Sequence, residues 1–226
     1  MYRMISAMTN AALPDGADIE RPTVVVIDDD VSVRESLELL IVSAGWRPLL
    51  FESAQSYLAT PLLLTPCCLI LDVNMPGLNG LDLQTIINTR GTRMPIIFVS
   101  GFGDVPMTVK ALKGGALDFL TKPIDTMALL EAIQSALAQS EAMLRSDEEL
   151  QRLRHSYDAL TKREREVMIR VVKGLLNKQV AFELDISEIT VKAHRGQVMR
   201  KMSARTLPEL VNMAAKLRLE DSFEID

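Results

Sequence analysis

The chain has 226 residues, which is enough for one or two domains that each bury a hydrophobic core. It is 48% hydrophobic and 24% charged, as in an ordinary globular protein, and only 4% aromatic, so a stacking surface for bases or sugars is not expected. Its two adjacent cysteines, Cys67 and Cys68, and its two distant histidines argue against a disulfide framework and a zinc site. The apolar runs stay well below the ~20 residues of a membrane span.

Charge is distributed unevenly along the chain. Residues 1–160 carry 12 Lys and Arg against 20 Asp and Glu, a net charge of −8, whereas 161–219 carry 13 against 6, a net charge of +7. The basic segment is a candidate nucleic-acid-binding domain, and a solvated basic face is the alternative. We expect residues 1–21 to form a disordered extension that is not a signal peptide, residues 220–226 to form an acidic tail, and the protein to be cytoplasmic.

The next segment, 22–137, has the pattern of an α/β domain. Short apolar runs predict five strands buried on both faces, at 23–27, 49–51, 68–71, 95–99 and 116–120. Helical spacing predicts helices between them, at 33–44, 53–60, 80–88 and 104–113. This alternation predicts a five-stranded, doubly wound parallel sheet.

A long helical segment follows, because neither Pro nor Gly occurs between residues 124 and 173. We predict that the last helix of the sheet domain continues through a linker, 138–159, to about His155. The alternative is two helices that meet near 145–147, where Ser146 could cap the second. The apolar stripe of this helix could pack on its own sheet or pair with a second chain.

Polar residues follow four of the predicted strands. They are Asp28, Asp29 and Asp30 after the first strand, Asp72 after the third, Ser100 after the fourth and Lys122 after the fifth. The carboxyl ends of parallel strands meet at one edge, so these side chains should form one site. Carboxylates suit a hard cation such as Mg²⁺, and Asp72 could act as a nucleophile toward phosphorus. The cation, Lys122 and Ser100 would neutralise the charge of a transferring phosphoryl group.

These residues lie in blocks that resemble bacterial response-regulator receiver domains over 23 to about 137: VVVIDDD, LILDVNMPGLNGLDL, PIIFVSG and DFLTKP. The resemblance implies the flavodoxin-like fold, with Asp72 phosphorylated by a sensor histidine kinase. It also implies a Mg²⁺ site. Asp29 would bind the ion directly and Asp28 mainly through water, and Asp72 and the backbone carbonyl of Asn74 would be further ligands. Lys122 would pair with the phosphoryl group, and the Lys122–Pro123 peptide bond would be cis. Ser100 and Phe119 would be the hydroxyl and aromatic switch residues.

The sequence pattern of residues 160–219 predicts four short helices and no strand. Their start signals are Thr161 with Glu164, Asn177, Ser187 and Pro208. Two helices that meet at a tight turn over 185–187 predict a helix-turn-helix, in which the second helix enters the major groove of DNA. The predicted inner faces are Val180, Ala181 and Leu184 on the first of these helices and Val191, Val198 and Met202 on the second.

Three blocks make residues 160–217 similar to the LuxR-type output domain of the FixJ/NarL family: LTKREREVM, NKQVAFELDISEITVKAHRGQVMRKM and ELVNMA. The candidate DNA-binding residues are Thr190, Lys192, Ala193, Arg195, Gly196, Arg200 and Lys201.

Lys192 and Arg195 are expected to bind guanine. Thr190, Arg200 and Lys201 are expected to bind phosphates. Gly196 would allow close backbone approach or leave specificity to Arg195.

The neighbouring side chains have other expected positions. Met199 is expected to face outward, and His194 is expected to be packed rather than to read bases. Arg163 and Arg165 are expected to form ion pairs with neighbouring glutamates rather than to bind DNA.

The leading hypothesis is a transcription factor of the FixJ branch, which the stretch GDVPMTVKALKGGALDFLTKP resembles. A kinase would phosphorylate the receiver, which would release the DNA-binding domain or form a homodimer through the face of the helix at 104–113. The protein would then bind promoter DNA and act on RNA polymerase, as an activator like most relatives or as a repressor. Such a receiver catalyses only its own phosphoryl transfer and slow dephosphorylation. The alternatives are a constitutive DNA-binding protein with a vestigial receiver and a phosphatase of the haloacid-dehalogenase type. Asn74 stands where the phosphatase would need its second aspartate.

Overall fold

The computed structural model describes residues 21–61, 65–91, 93–101 and 104–219. The predicted disordered extension, except Arg21, and the acidic tail lie outside these residues. The chain divides into two compact units, Met1–Leu144 and Arg145–Asp226. Within the described ranges, no helix combines the length and the apolar character that crossing a membrane requires.

The first unit contains a five-stranded parallel sheet, as predicted. Its strands are β1 (Thr23–Ile27), β2 (Arg47–Phe51), β3 (Cys67–Asp72), β4 (Ile96–Ser100) and β5 (Asp118–Thr121). The strand order is β2-β1-β3-β4-β5, and every neighbouring pair is parallel. All carboxyl ends therefore lie at one edge of the sheet. β5 begins two residues later than the apolar run at 116–120 predicts.

Helices alternate with these strands. They are α1 (Val31–Ser43), α2 (Ala54–Leu58), α3 (Gly80–Thr89), α4 (Val105–Lys113) and α5 (Thr126–Asp158). The first four begin at side-chain caps, Asp30, Ser53, Asn79 and Asp104, each of which accepts a hydrogen bond from a backbone N–H of the first turn. Each helix therefore starts at a fixed residue close to a strand end.

Each face of the sheet has its own apolar core, as a doubly wound fold requires. Val24 and Val26 of β1 point into the core under α1 and α5. Val25 and Ile27 point into the opposite core, under α2, α3 and α4. Because β1 is buried on both sides, its continuous run of β-branched residues is the expected sequence for this position.

The long helix α5 is continuous from Thr126 to Asp158, so the alternative with a break near 145–147 is wrong. Its first half packs on the sheet of its own unit through Leu129 and Ile133. There the buried Oγ of Ser140 also accepts a 3.0 Å hydrogen bond from the backbone N–H of Cys67. Leu153, in the last turns of α5, belongs to the core of the second unit.

The second unit adds four helices to the end of α5: α6 (Lys162–Val172), α7 (Asn177–Leu184), α8 (Glu188–Lys201) and α9 (Leu207–Lys216). The predicted capping box of Thr161 and Glu164 is present, and Ser187 caps α8. The prediction that Asn177 caps α7 is wrong, since the cap position is Leu176, whose backbone N–H donates to Gln179 Oε1 at 2.8 Å.

The turn between α7 and α8 is as tight as predicted. Asp185 ends α7 in the left-handed region, with φ of +50°, and Ser187 already caps the next helix. The six residues predicted to face inward are all buried in one core: Val180, Ala181, Leu184, Val191, Val198 and Met202. The unit therefore contains a helix-turn-helix formed by α7 and α8.

Candidate functional site

Three carboxylates meet at the carboxyl edge of the sheet. One oxygen from each of Asp28, Asp29 and Asp72 lies within 4.8 Å of the others. Asp28 and Asp72 are buried, and Asp29 is exposed. Asp30, the fourth acidic residue of the sequence pattern, instead caps α1 by accepting a 2.8 Å hydrogen bond from the backbone N–H of Ser32. The cluster thus brings together all three predicted carboxylate ligands.

Lys122 connects the two buried carboxylates. Its Nζ lies 2.7 Å from Asp28 Oδ2 and 2.8 Å from Asp72 Oδ2. Burial raises the pKa of Asp28 above its ordinary value, although Lys122 opposes that shift. Partial burial acts to lower the pKa of Lys122, but the two carboxylates outweigh it and raise that pKa. The Lys122–Pro123 peptide bond is cis, as the resemblance implies.

Asn74 joins the site through groups that the sequence pattern did not assign. Its backbone N–H donates to Asp72 Oδ1 at 3.0 Å, and its side-chain Nδ2 donates to Ser100 Oγ at 3.2 Å. Ser100 is fully buried at the end of β4. Both oxygens of Asp72 therefore accept a hydrogen bond, one from Asn74 and the other from Lys122.

Two further residues shape this edge and were missed in the sequence. The Arg34 guanidinium in α1 donates to the backbone carbonyl of Asp28 at 2.7 Å. Gly80, the first residue of α3, lies so close to β3 that a Cβ there would collide with the backbone oxygen of Asp72. An asparagine helix cap followed directly by glycine, as in Asn79-Gly80, is a signal that could have identified this contact.

Phe119, the predicted aromatic switch residue, is half-buried on β5. Its ring packs at the edge of the α2–α4 core, 6.2 Å from the ring centroid of Phe98. The aromatic side chain therefore lies on the sheet face that carries α4.

The helix-turn-helix presents most of the predicted DNA-binding residues on the outer surface of α8. Lys192, Ala193, Gly196 and Arg200 are exposed, whereas Thr190 and Arg195 are half-buried. Arg195 donates to Asn177 Oδ1 of α7 at 3.1 Å. His194 is half-buried, in agreement with its predicted packing.

Two side chains near the end of α8 have contacts that the sequence pattern did not predict. Met199 is half-buried against the core rather than facing outward. Lys201, which is expected to bind a phosphate, donates to Glu164 Oε2 at 2.7 Å.

The two arginines at the start of α6 behave differently from each other. Arg163 pairs with Glu166 at 2.8 Å, as expected. Arg165 instead donates to the backbone carbonyl of Asp158 at 2.8 Å and stacks 5.0 Å from the centre of the Tyr157 ring.

Comparison with known proteins gives the same division of the chain. Residues 24–134 match the response regulator receiver domain, and residues 158–214 match the luxR family of bacterial regulatory proteins. The response regulator protein TmoT of Ectopseudomonas mendocina is 44% identical over 205 residues, which cover 91% of this chain and 92% of TmoT. The transcriptional regulatory protein FixJ of Azorhizobium caulinodans is 43% identical over 84% of this chain and 90% of its own.

Solved structures with both units are also similar. The response regulator StyR matches with a TM-score of 0.78 and 41% identity, over 87% of this chain and 99% of StyR. Full-length FixJ from B. japonicum matches with a TM-score of 0.52 and 38% identity, over 88% of this chain and 98% of FixJ. The chain therefore belongs to the two-component response regulators that join a receiver domain to a LuxR-type helix-turn-helix, and it is a DNA-binding transcriptional regulator.

Proposed function

We propose that this regulator is controlled by phosphorylation of Asp72 by a sensor histidine kinase. The observation that supports this best is the position of the Asp72 carboxylate, which is buried between two further aspartates and the Lys122 ammonium. In the reaction, the P–N bond of a phosphohistidine breaks while a P–O bond to Asp72 forms. The imidazole leaves with the electron pair of the P–N bond and takes a proton from water.

The surrounding side chains suit this transfer. Lys122 supplies positive charge 2.8 Å from the carboxylate that would be modified. The Ser100 hydroxyl, linked to the same site through Asn74, would hydrogen-bond the new phosphoryl oxygens. Ser100 and Phe119 would then act as the switch pair that transmits phosphorylation to the α4 face.

Mg²⁺ fits the cluster because its donors are hard carboxylate oxygens that lie within 4.8 Å of one another. Asp28, Asp29, Asp72 and the backbone carbonyl of Asn74 would hold the ion. Bound there, it would supply charge neutralisation for the equatorial phosphoryl oxygens.

Phosphorylation would act on transcription through a homodimer. α4 exposes Val105, Val109 and Leu112 on its surface, an apolar face that a second receiver could cover. Two helix-turn-helix units read two half-sites, which multiplies the selectivity of one short helix for promoter DNA. We propose that this dimer activates transcription by RNA polymerase and that the protein works in the cytoplasm.

A phosphatase of the haloacid-dehalogenase type is disfavoured by Asn74. That reaction needs a general acid two residues after the nucleophile, and the Asn74 amide has no titratable proton in the useful pH range. We infer that the receiver catalyses only its own phosphorylation and slow dephosphorylation.

The test measures the mass and the sedimentation of the full chain with acetyl phosphate, in Mg²⁺ or in EDTA. We expect a gain of about 80 Da in Mg²⁺, a shift toward dimer, and tighter promoter binding. Asp72→Asn, which keeps the shape of the side chain, should show none of these changes.

The possible outcomes separate the hypotheses. A wild-type chain that gains no phosphate would contradict the receiver mechanism and leave a constitutive DNA-binding protein. Continuous release of phosphate from small phosphoesters would instead support the phosphatase.

A further inference from the structure

An isoleucine lies in the first turn of α8, the helix that a helix-turn-helix inserts into the major groove with its N-terminal residues against the bases. Ile189 is the second residue of α8, and the residue is 80% exposed. The buried side of α8 is formed by Val191 and Val198, so Ile189 contributes nothing to the core of the unit. A single exposed apolar side chain is ordinary on a protein surface, so its neighbours on the helix decide whether it marks a contact surface.

Ile189 belongs to a stripe rather than standing alone. Ala193 and Gly196 follow it at spacings of four and seven residues, which places all three on one helix face. All three are exposed, and the neighbouring exposed cations are Lys192 and Arg200. The outer face of α8 is thus a smooth apolar strip with positive charge beside it.

The glycine in this stripe is not explained by the fold of the unit. A Cβ built on Gly196 meets nothing within 4 Å, and the φ of this residue is not in the left-handed region. Glycine in a helix interior is less favourable than alanine by about 1 kcal/mol. Without a Cβ at Gly196, the helix surface beside Ile189 and Ala193 stays low enough for a partner to approach closely.

We propose that Ile189 reads thymine, by packing against the C5-methyl group in the major groove. This inference rests on the proposed docking of α8 in that groove. The thymine methyl is the apolar group that base edges present there. Of the two flanking cations, Lys192 would bind a guanine and Arg200 a phosphate, as the sequence predicts. Ile189 and Ala193 lie about 6 Å apart along the helix axis, roughly two base steps of 3.4 Å.

The experiment removes the methyl group from the DNA and the apolar group from the protein. The full chain, with and without acetyl phosphate, first selects binding sites from random duplex DNA. In the selected site each thymine is then replaced by uracil, which differs only in lacking the methyl. For the wild type we expect about fourfold weaker binding at one or two positions, the effect of one buried methyl-sized group.

The variants identify the residue responsible. Ile189→Ser should bind thymine and uracil equally at one of those positions, while Ile189→Val should keep the discrimination. Phe182→Ser is the matched control, because Phe182 is an apolar side chain of α7 that is 88% exposed and lies outside the stripe. It should leave the thymine-to-uracil ratio unchanged at every position.

Two results would overturn the assignment while leaving DNA binding intact. One is a wild type whose affinity does not change with uracil at any thymine. The other is an Ile189→Ser variant that keeps the wild-type ratio everywhere. If the full chain selects no DNA sequence in either phosphorylation state, the failure lies instead in the proposed docking of α8.

Discussion

Glu164 is a buried acid in the second unit, and its side chain is held by contacts from two directions. The residue is only 5% exposed. Its Oε2 accepts hydrogen bonds of 2.7 Å from Lys201 Nζ of α8 and of 2.7 Å from the backbone N–H of Thr161. Burial acts to raise the pKa of Glu164, but these hydrogen bonds and the Lys201 charge outweigh it, and the pKa lies below its ordinary value.

We predict that Glu164→Gln lowers the stability of the second unit by about 1–3 kcal/mol at pH 7, since Lys201 loses its charged partner. A lowered pKa means that the ionised acid contributes stability above the unfolded pKa of about 4.3, and that this contribution is lost as the pH falls through the folded pKa. The difference between variant and wild type should therefore shrink toward pH 3. Hydrogen exchange of α6 and α8 peptides in the full chain measures this difference in stability at each pH.

The control for this prediction is Glu166→Gln, which makes the same substitution in an ion pair with Arg163 between partly exposed side chains on the surface of α6. Its effect should stay below about 1 kcal/mol. A difference between Glu164→Gln and wild type that persists undiminished at pH 3 would mean that shape rather than charge explains the loss.

Gly196 gives a second prediction at the residue scale, in which stability and binding change in opposite directions. Gly196→Ala should stabilise the second unit by roughly 0.5–1 kcal/mol, because its Cβ meets open space in a helix interior. The same methyl should weaken specific DNA binding by holding the Ile189 stripe away from the bases. Thermal unfolding and DNA titration of the same sample test the two effects together, and tighter specific binding would contradict the close-approach role.

At the scale of elements, the position of α3 against β3 decides the geometry around Asp72. Gly80 begins α3 where the backbone oxygen of Asp72 leaves no room for a Cβ, and the Phe98 ring lies 3.1 Å from the same point. Because the obstacle is backbone, the helix must move rather than a flexible side chain.

We predict that Gly80→Ala displaces the start of α3, lowers stability by about 1–3 kcal/mol, and slows phosphorylation of Asp72 by about tenfold or more. The rate of mass gain in acetyl phosphate measures the second effect. Ile87→Val, in the last turns of the same helix, is the matched control, because it lowers stability by about 0.5–1.5 kcal/mol without moving the start of α3. Equal rates for the two variants would contradict a geometric role of Gly80.

The elements differ in how far their sequence determines them. The strands could be predicted because β1 and its neighbours are buried on both faces, so apolar runs such as Val24–Ile27 have no other suitable environment. The predicted start of α7 is wrong by one residue. Asn177 is a good capping residue by type, but the cap position is Leu176, and the oxygen that accepts its N–H comes from Gln179. Local sequence gives preferences at such ends, and packing selects among them.

For the candidate site, the sequence predicts which residues lie together, but it does not predict all the hydrogen bonds and ion pairs that fix their positions. Asp28, Asp72 and Lys122 could be placed together because parallel strands end at one edge. The contacts of Arg34 with the Asp28 carbonyl and of Lys201 with Glu164 could not be predicted. Each of those long side chains could reach several acceptors, and the three-dimensional packing of helices selects one.

For the whole molecule, the first unit is acidic and the basic segment 161–219 lies entirely within the second unit. The acidic part contains the carboxylate cluster, and the basic part contains the helix that would meet DNA. A basic unit attracts the phosphate backbone whether or not the receiver is modified. The control by phosphorylation that we propose would therefore act through a change in assembly, for which the exposed apolar face of α4 is the surface we propose.

We predict that Val109→Glu blocks dimerisation without affecting the chemistry at Asp72. Val109 is 43% exposed on α4, and a charge there would be desolvated in a receiver dimer. Leu39→Glu is the matched control, because it introduces the same charge at a 74% exposed residue of α1, on the opposite face of the sheet. Both variants should gain phosphate at the wild-type rate, but only Val109→Glu should stay monomeric in sedimentation and bind a two-half-site promoter no better than a single half-site. Normal dimers of phosphorylated Val109→Glu would show that another surface forms the interface.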